Sequence, residues 1–402
     1  MNPPTQGALL PRASVGGVRV LIAPDSFTGT LSATQAVDAI SEGWLRTSPA
    51  DVIHRSPLSD GGPGFVSVMY AGLGGQVHPV TVAGPLGAPT VGEILIVDRN
   101  GTATAYLESA QACGLHLVPQ EQRDPRRTST YGLGELIDHA IELGARRIVI
   151  GLGGTGTNDA GAGLLAALGA TALDELGHDC TALLREGGGA LTAVASLDLE
   201  PARGAVAGVE LVVASDVDNP LLGLRGATNG YARQKGADES AVMELEGALE
   251  LFAAAGGRRD DGKDPAVALG AGAGGGLGYA LMQLGATRVP GIATVLETVG
   301  LADLIAQCDV VVTGEGSFDW QSLRGKVVSG VAAAALEQGR PCVVIAGRVE
   351  VGRREFAASG VTAAFAVVDD VRTRGFDDRV AFDDAAVQVA ELSARVARTW
   401  GS

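Results

Sequence analysis

Short apolar runs recur along the chain, each closed by a turn residue, and most lead into segments whose apolar positions return every three or four residues. The first run, 18–23, stops at Pro24-Asp25. Ser32 then stands as a helix N-cap with Gln35 in the capping-box position, and Ala33, Val37, Ile40 and Trp44 follow at helical spacing. This predicts a strand-loop-helix unit with Asp25-Ser26 at the strand's carboxyl end. Ser59-Asp60-Gly61-Gly62 forms a second such turn, with a helix over 65–71.

Between 76 and 107 the pattern changes to β-rich runs (76–82, 91–97, 102–107) separated by Gly84-Pro85-Leu86-Gly87 and Asn100-Gly101. Asn-Gly is a hairpin signal, so an antiparallel or mixed sheet is expected there. Alternation of strand and helix then resumes. Leu133, Leu136, Ile137, Ala140 and Ile141 predict an amphipathic helix feeding a strand over 146–150 and a glycine loop over 151–161. Further strands are expected at 210–214, ending in Ser215-Asp216, and at 309–312, ending in Thr313-Gly314-Glu315-Gly316. Strands at 342–346 and 362–368 (the latter closed by Asp369-Asp370) and a final helix over 383–399 complete the pattern. In parallel α/β sheets ligands bind beyond the carboxyl ends of the strands, which is where Asp25, Asp60, Asp216 and Glu315 fall.

Composition sharpens this picture. Of 402 residues 46% are hydrophobic but only 4% aromatic, and 59 are glycine. Such a core is built from Ala, Val, Leu and Ile, which suits strands buried on both faces. With 30 basic and 46 acidic residues the net charge is −16, which disfavours nucleic-acid and anionic-membrane binding and leaves a small molecule as the expected partner. A homo-oligomer is compatible with the sequence. Cys113, Cys180, Cys308 and Cys342 form no C-x-x-C pair, and the five histidines show no zinc-ligand spacing. Residues 1–16 are expected to be a disordered tail rather than a signal peptide. The uncharged stretch 265–287 holds too many glycines for a membrane span, so a soluble cytoplasmic protein is expected.

The loop 151–161 admits two chemistries. Gly151, Gly153 and Gly156 satisfy the dinucleotide pattern G-x-G-x-x-G, which points to a nicotinamide-dependent oxidoreductase; Thr155, Thr157, Asn158 and Asp159 suit a phosphoryl-transfer site. The short 170–173 run and the delayed helix weigh against the dinucleotide. A P-loop is excluded, because Gly325-Lys326 is followed by Val327 and preceded five residues earlier by Trp320. For phosphoryl transfer the chain offers backbone N–H groups at Gly153 and Gly154, the Thr155 hydroxyl, Asp216 for magnesium, Asp319 or Asp60 for the hydroxyl proton, and Lys326 for charge neutralisation.

Together these segments resemble the bacterial glycerate kinase family (type I). The matching stretches are Ile22-Ala23-Pro24-Asp25-Ser26-Phe27, Ser59-Asp60-Gly61-Gly62, Gly84-Pro85-Leu86-Gly87 and the run from Thr130 to Ile137. Gly153-Gly154-Thr155-x-Thr157-Asn158-Asp159, Ser215-Asp216-Val217-x-Asn219-Pro220-Leu221, Gln234-Lys235-Gly236-Ala237, the 272–278 glycine run and Thr313-Gly314-Glu315-Gly316 follow in order, with Asp319, Gln321 and Gly325-Lys326 behind them. The resemblance implies transfer of the ATP γ-phosphate to glycerate with magnesium. It also implies two α/β domains: a flavodoxin-like parallel-sheet domain from both chain ends (17–75 plus 288–402) and an inserted mixed-sheet domain (76–287), with the active site between them.

The expected site therefore has Asp319, Asp60 and Lys326 in catalysis, Asp216 at the metal, and Asp25, Ser26, Gly153, Gly154, Thr155, Asn158, Asp159, Asn219, Lys235, Gly314, Glu315 and Gly316 around substrate or phosphate. Asp25 and Asp60 equally suit helix caps, and Asn219-Pro220 equally suits a strand end. Two departures bear on the substrate. Thr28 stands where the family usually has lysine, and Pro63-Gly64-Phe65 replace Glu-Gly-Thr; Lys235, Arg233 or Arg324 could compensate for the missing cation. A non-catalytic hydroxy-acid sensor that lost this cation is the alternative from another class.

Overall fold

The computed structural model describes residues 17–99, 101–259, 261–323 and 325–402. The expected tail over 1–16, Asn100 and Arg324 lie outside them. In chain order the strands are β1 (Arg19–Ile22), β2 (Val52–Arg55), β3 (Gln76–Ala83), β4 (Pro89–Arg99) and β5 (Thr102–Glu108). Then come β6 (Arg147–Gly151), β7 (Thr171–Leu173), β8 (Ser196–Asp198), β9 (Glu210–Ala214) and β10 (Thr287–Val289). The last are β11 (Val310–Thr313), β12 (Ser317–Phe318), β13 (Cys342–Ala346), β14 (Arg348–Val349) and β15 (Ala363–Ala366).

Two sheets dominate. The first is wholly parallel with order β15-β13-β11-β1-β2. Renumbered within the sheet this is 2-1-3-4-5, the flavodoxin-like order, whose switch point lies between β1 and β11. The second has order β10-β9-β6-β5-β4-β3, parallel from β10 to β5 and antiparallel across β5-β4-β3. The β4–β5 hairpin has Arg99 opposite Thr102, the register expected of a two-residue turn.

Strand alternation divides the side chains among three cores. Val20, Ile22, Val310, Val312, Val343 and Ile345 face the helices Ala33–Thr47 and Ala385–Trp400, through Trp44, Ile40, Val389 and Val396. The opposite face of that sheet (Leu21, Val311, Val344) and one face of the other (Leu95, Val149, Val212) share a single core with Phe65, Met69, Val295 and Val331. Helices Phe65–Leu73, Gly291–Thr298 and Val327–Glu337 are thus sandwiched between the sheets. The far face of the six-stranded sheet (Ile94, Ala105, Leu107, Ile148, Ile150) packs on helices Tyr131–Glu142, Ala162–Ala167 and Ala273–Gln283.

The capping box at Ser32 and Gln35 is present, with Ser32 Oγ accepting from the Gln35 N–H at 3.2 Å and Gln35 Oε1 accepting from the Ser32 N–H at 2.9 Å. The run 362–368 divides instead: β15 stops at Ala366, and Val367–Thr373 is a helix holding Asp369 and Asp370 in its first turn. Acidic residues favour that position because they face the positive end of the helix dipole. Cys113, Cys308 and Cys342 are buried free thiols, and Cys180 is partly exposed. Among the described residues no helix is long and apolar enough to cross a membrane.

Candidate active site

The loops leaving β1 and β11 run side by side across the switch point. The Ala23 N–H donates to the Val312 carbonyl at 2.7 Å, the Asp25 N–H to the Gly314 carbonyl at 2.8 Å, and the Thr313 hydroxyl to the Ala23 carbonyl at 2.8 Å. Asp25 and Glu315 are thereby held on either side of the place where an α/β sheet presents ligands.

The loop after β2 bridges the two sheets. Gly61 has φ +95°, and a Cβ there would lie 2.8 Å from the Ala214 carbonyl oxygen at the end of β9. A Cβ on Gly151 would meet the Gly61 carbonyl at 2.5 Å, and one on Gly153 the Gly62 Cα at 2.6 Å. These glycines bring three loops from two sheets into backbone contact.

Asp60 is the hub of the resulting acidic group. Burial raises the Asp25 carboxyl, and the Asp60 charge pushes it further while Lys326 opposes. Burial lifts Glu315 to about 7; Lys326 pulls it down and Asp319 and Asp60 push it up. Glu315 Oε1 is buried without a protein partner. Asp216 is raised to about 6, again by burial first, with Asp60 adding to it. Asp25, Asp60, Asp216, Glu315, Asp319 and Lys326, from four separated segments, therefore share one electrostatic neighbourhood.

Several of these side chains are also tied to backbone. Asp25 Oδ1 accepts the Ser26 N–H at 2.6 Å, and Asp60 Oδ1 the Gly62 N–H at 3.1 Å. Asp216 receives the Gly291 and Ile292 N–H groups, each at 3.0 Å, and so caps the 291–298 helix. Asp319 Oδ1 closes a turn by accepting the N–H groups of Gln321 and Ser322 at 2.7 and 3.2 Å. Lys326 is the N-cap residue of the 327–337 helix. Gly314 and Gly316 pass close to the Ile345 carbonyl and the Thr28 N–H, so they set the path of the Glu315 loop.

The 153–159 loop forms a second, drier group. Lys235 is buried, its Nζ donating to the Thr157 carbonyl at 2.6 Å and to the Thr155 hydroxyl at 3.3 Å; burial lowers it to about 8. Asp159 accepts from the Thr130 N–H and hydroxyl at 2.9 and 2.8 Å and from the N–H groups of Gly161 and Gly163 at 3.1 and 3.3 Å. Asn158 Nδ2 donates to Thr228 at 2.9 Å, while its Oδ1 is buried and unpartnered. Beneath, Gly275 and Gly276 pack against Thr157 and Ala160, the latter at φ +51°. Gly154 faces Pro63. Asn219 has its Nδ2 donating to the Arg225 carbonyl at 2.7 Å and its Oδ1 accepting from the Tyr231 hydroxyl at 3.0 Å.

Of the cations that could replace the lysine missing at Thr28, Arg233 is exposed and paired with Glu239 at 2.8 Å, and Lys235 is enclosed in its own hydrogen bonds. Among the described residues, Lys326 is the cation that acts on Asp25 and Glu315.

Glu108, at the end of β5, escaped the sequence reading. It is 3% exposed and raised to about 7 by burial, against the N–H groups of Gly64, Val66 and Phe65 that hold it. An acid at a strand's carboxyl end was the available signal, hidden by the antiparallel pattern around it.

Among the described residues no group of three or more His, Cys, Asp or Glu side chains is arranged to hold a metal ion by itself. Magnesium does not require one. It takes one or two carboxylates and completes its shell with phosphate and water oxygens, and the unpartnered Glu315 oxygen beside Asp60 and Asp25 fits that donor set.

The model of the glycerate kinase family matches residues 20–401. A glycerate kinase from Halalkalibacterium halodurans is 39% identical over 383 residues, covering 95% of this chain and 98% of that protein. A glycerate 2-kinase from Escherichia coli is 38% identical, covering 94% and 98%. A crystal structure from Salmonella typhimurium LT2, provisionally named glycerate kinase 2, superposes with a TM-score of 0.75 at 34% identity, covering 95% of this chain and 98% of that one.

Proposed function

The chain belongs to the glycerate kinase family, and on that footing we propose that it transfers the γ-phosphoryl group of ATP to a hydroxyl of glycerate, with magnesium, in the cytoplasm. The observation that carries this reading is the convergence of Asp25, Asp60, Glu315 and Lys326 at the β1/β11 switch point. We take the sheets as two lobes, 17–75 plus 288–402 and 76–287, meeting at the loop that bears Asp60.

Phosphoryl transfer needs charge neutralisation, an acceptor for the hydroxyl proton and exclusion of water. Magnesium, held by Glu315 with Asp60 or Asp216, would supply neutralisation of phosphate charge. Lys326, at a helix start, adds its own positive charge and the free N–H groups of that helix.

Asp60 is assigned the proton. Its charge reaches Asp25, Asp216 and Glu315, so its carboxylate stands at the centre of the acidic group, where a substrate hydroxyl would meet it. Asp319 is the rival; each has one oxygen engaged by a backbone N–H, Asp60 by Gly62 and Asp319 by Gln321 and Ser322. Gly153 and Gly154 border the Asp60 loop and complete the wall on the side of the six-stranded sheet, with Thr155 next in the chain.

Phosphorus NMR of a reaction containing D-glycerate, ATP and magnesium tests the proposal. A new phosphomonoester resonance coupled to a glycerate carbon proton is expected and identifies the hydroxyl. ATP left intact, with D-glycerate still bound, would instead support the sensor.

A further inference from the structure

Away from the acidic loops, a cavity of about 540 Å³ opens between residues 83–87, 122–131 and 182–186. Tyr131 in its wall begins the helix whose Leu133, Leu136 and Ile137 pack on the sheet face opposite Phe65 and the loop bearing Asp60. The cavity thus opens on the helix-covered face of the six-stranded sheet, and its 122–131 segment reaches the 153–159 loop through the Thr128 hydroxyl, which donates to the Gly156 carbonyl at 2.9 Å.

Its three segments are fastened to each other. The Ser129 N–H donates to the Pro85 carbonyl and the Gly189 N–H to the Arg126 carbonyl, both at 2.9 Å. Gly187, at φ +92°, lets the third segment cross the second, since a Cβ there would lie 2.8 Å from the Arg127 Cα. Arg127 and Arg185 are thus brought to one cavity. The Arg185 guanidinium lies 3.7 Å from the centre of the Tyr131 ring.

Nearby carboxylates are occupied elsewhere: Glu135 accepts the Ala83 N–H at 2.7 Å, and Asp124 and Glu244 pair with Arg126 at 2.9 and 3.2 Å. Glu186 is the carboxylate that lines the cavity, facing two guanidinium groups in a chain of net charge −16.

We propose that this cavity binds a small phosphate-bearing metabolite, with Arg127 and Arg185 holding the phosphate. Stacking on Tyr131 uses the flat face of Arg185 and leaves the edge N–H groups to fork onto two phosphate oxygens. Pro85, Leu86 and Ala182 give an apolar wall for a carbon skeleton, and the volume falls within the range of metabolite pockets, about 300–1,000 Å³.

Calorimetric titration of the full chain with inorganic phosphate, and with acetate at equal ionic strength, tests this. Phosphate is expected to bind more tightly than acetate. Arg127→Ala and Arg185→Ala should each weaken one phosphate site by about tenfold, and Glu186→Gln should tighten it. The KM for glycerate should not move. Unchanged phosphate isotherms in both arginine variants, or preference for acetate, would overturn the proposal. So would a rise in the KM for glycerate that tracks the loss of phosphate binding, because the arginines would then serve the kinase cleft. Arg127→Gln and Arg185→Gln repeat the measurement if alanine lowers the melting temperature.

Discussion

The Gly64 N–H donates to Glu108 Oε2 across 2.9 Å, which ties the start of the 65–73 helix to the end of β5 in the six-stranded sheet. Val66 and Phe65 turn their N–H groups to the same carboxylate. One buried acid thus caps a helix sandwiched between the sheets and anchors the loop bearing Asp60. Glu108→Ala removes the acceptor from buried donors and should cost about 2–3 kcal/mol. Urea unfolding monitored by circular dichroism measures this, and an unchanged midpoint would refute the anchoring role.

The same carboxyl makes stability depend on pH. Its folded value, about 7, lies above its ordinary 4.5 because burial disfavours the charge. The folded chain then holds this proton where the unfolded chain has lost it. The contribution is complete below about 4.5 and disappears as pH rises through about 7, with a slope of about 1.4 kcal/mol per pH unit. Glu315, also raised to about 7, acts in the same direction. Melting temperatures of wild type and Glu108→Gln should therefore differ in slope between these pH values, with the variant flatter.

Asp60→Asn should lower kcat by about 10²- to 10⁴-fold while the fold is retained. Asp319→Asn should have the smaller effect if Asp60 takes the proton. Steady-state assays of both variants decide between them, and the reverse ranking would transfer the role to Asp319.

Asp159→Ala should act on stability rather than on chemistry. Its carboxylate serves Thr130, Gly161 and Gly163, and all of these partners are buried. A loss of about 3 kcal/mol or more is expected in denaturant titration. The KM for glycerate of the folded fraction should not change; a selective rise in KM would instead place Asp159 against the substrate.

Thr28 is exposed and lies next to Gly316 in the loop of the acidic group. Thr28→Lys adds a cation on that rim and should lower the KM for glycerate by about twofold to fivefold, most visibly at low salt. An unchanged KM would mean that Lys326 already meets the need.

The chain pattern alone determined the strand-helix alternation, the capping box at Ser32, the β4–β5 hairpin and the acids at strand ends, because these depend on neighbours within a few residues. It also displayed the glycines of the 151–161 loop, but not their use. Their packing against Gly61 and Gly62, the capping of a distant helix by Glu108, and the enclosure of Lys235 and Asp159 all join residues far apart in sequence. The charge coupling of Asp25, Asp60 and Glu315 is likewise set by distance in space and by loss of water. Local pattern could therefore say which loops place acidic residues at strand ends. Tertiary packing decided which of their oxygens remain unpartnered, since a carboxylate saturated by buried N–H groups, such as Asp159, and one with a bare oxygen, such as Glu315, look the same in sequence.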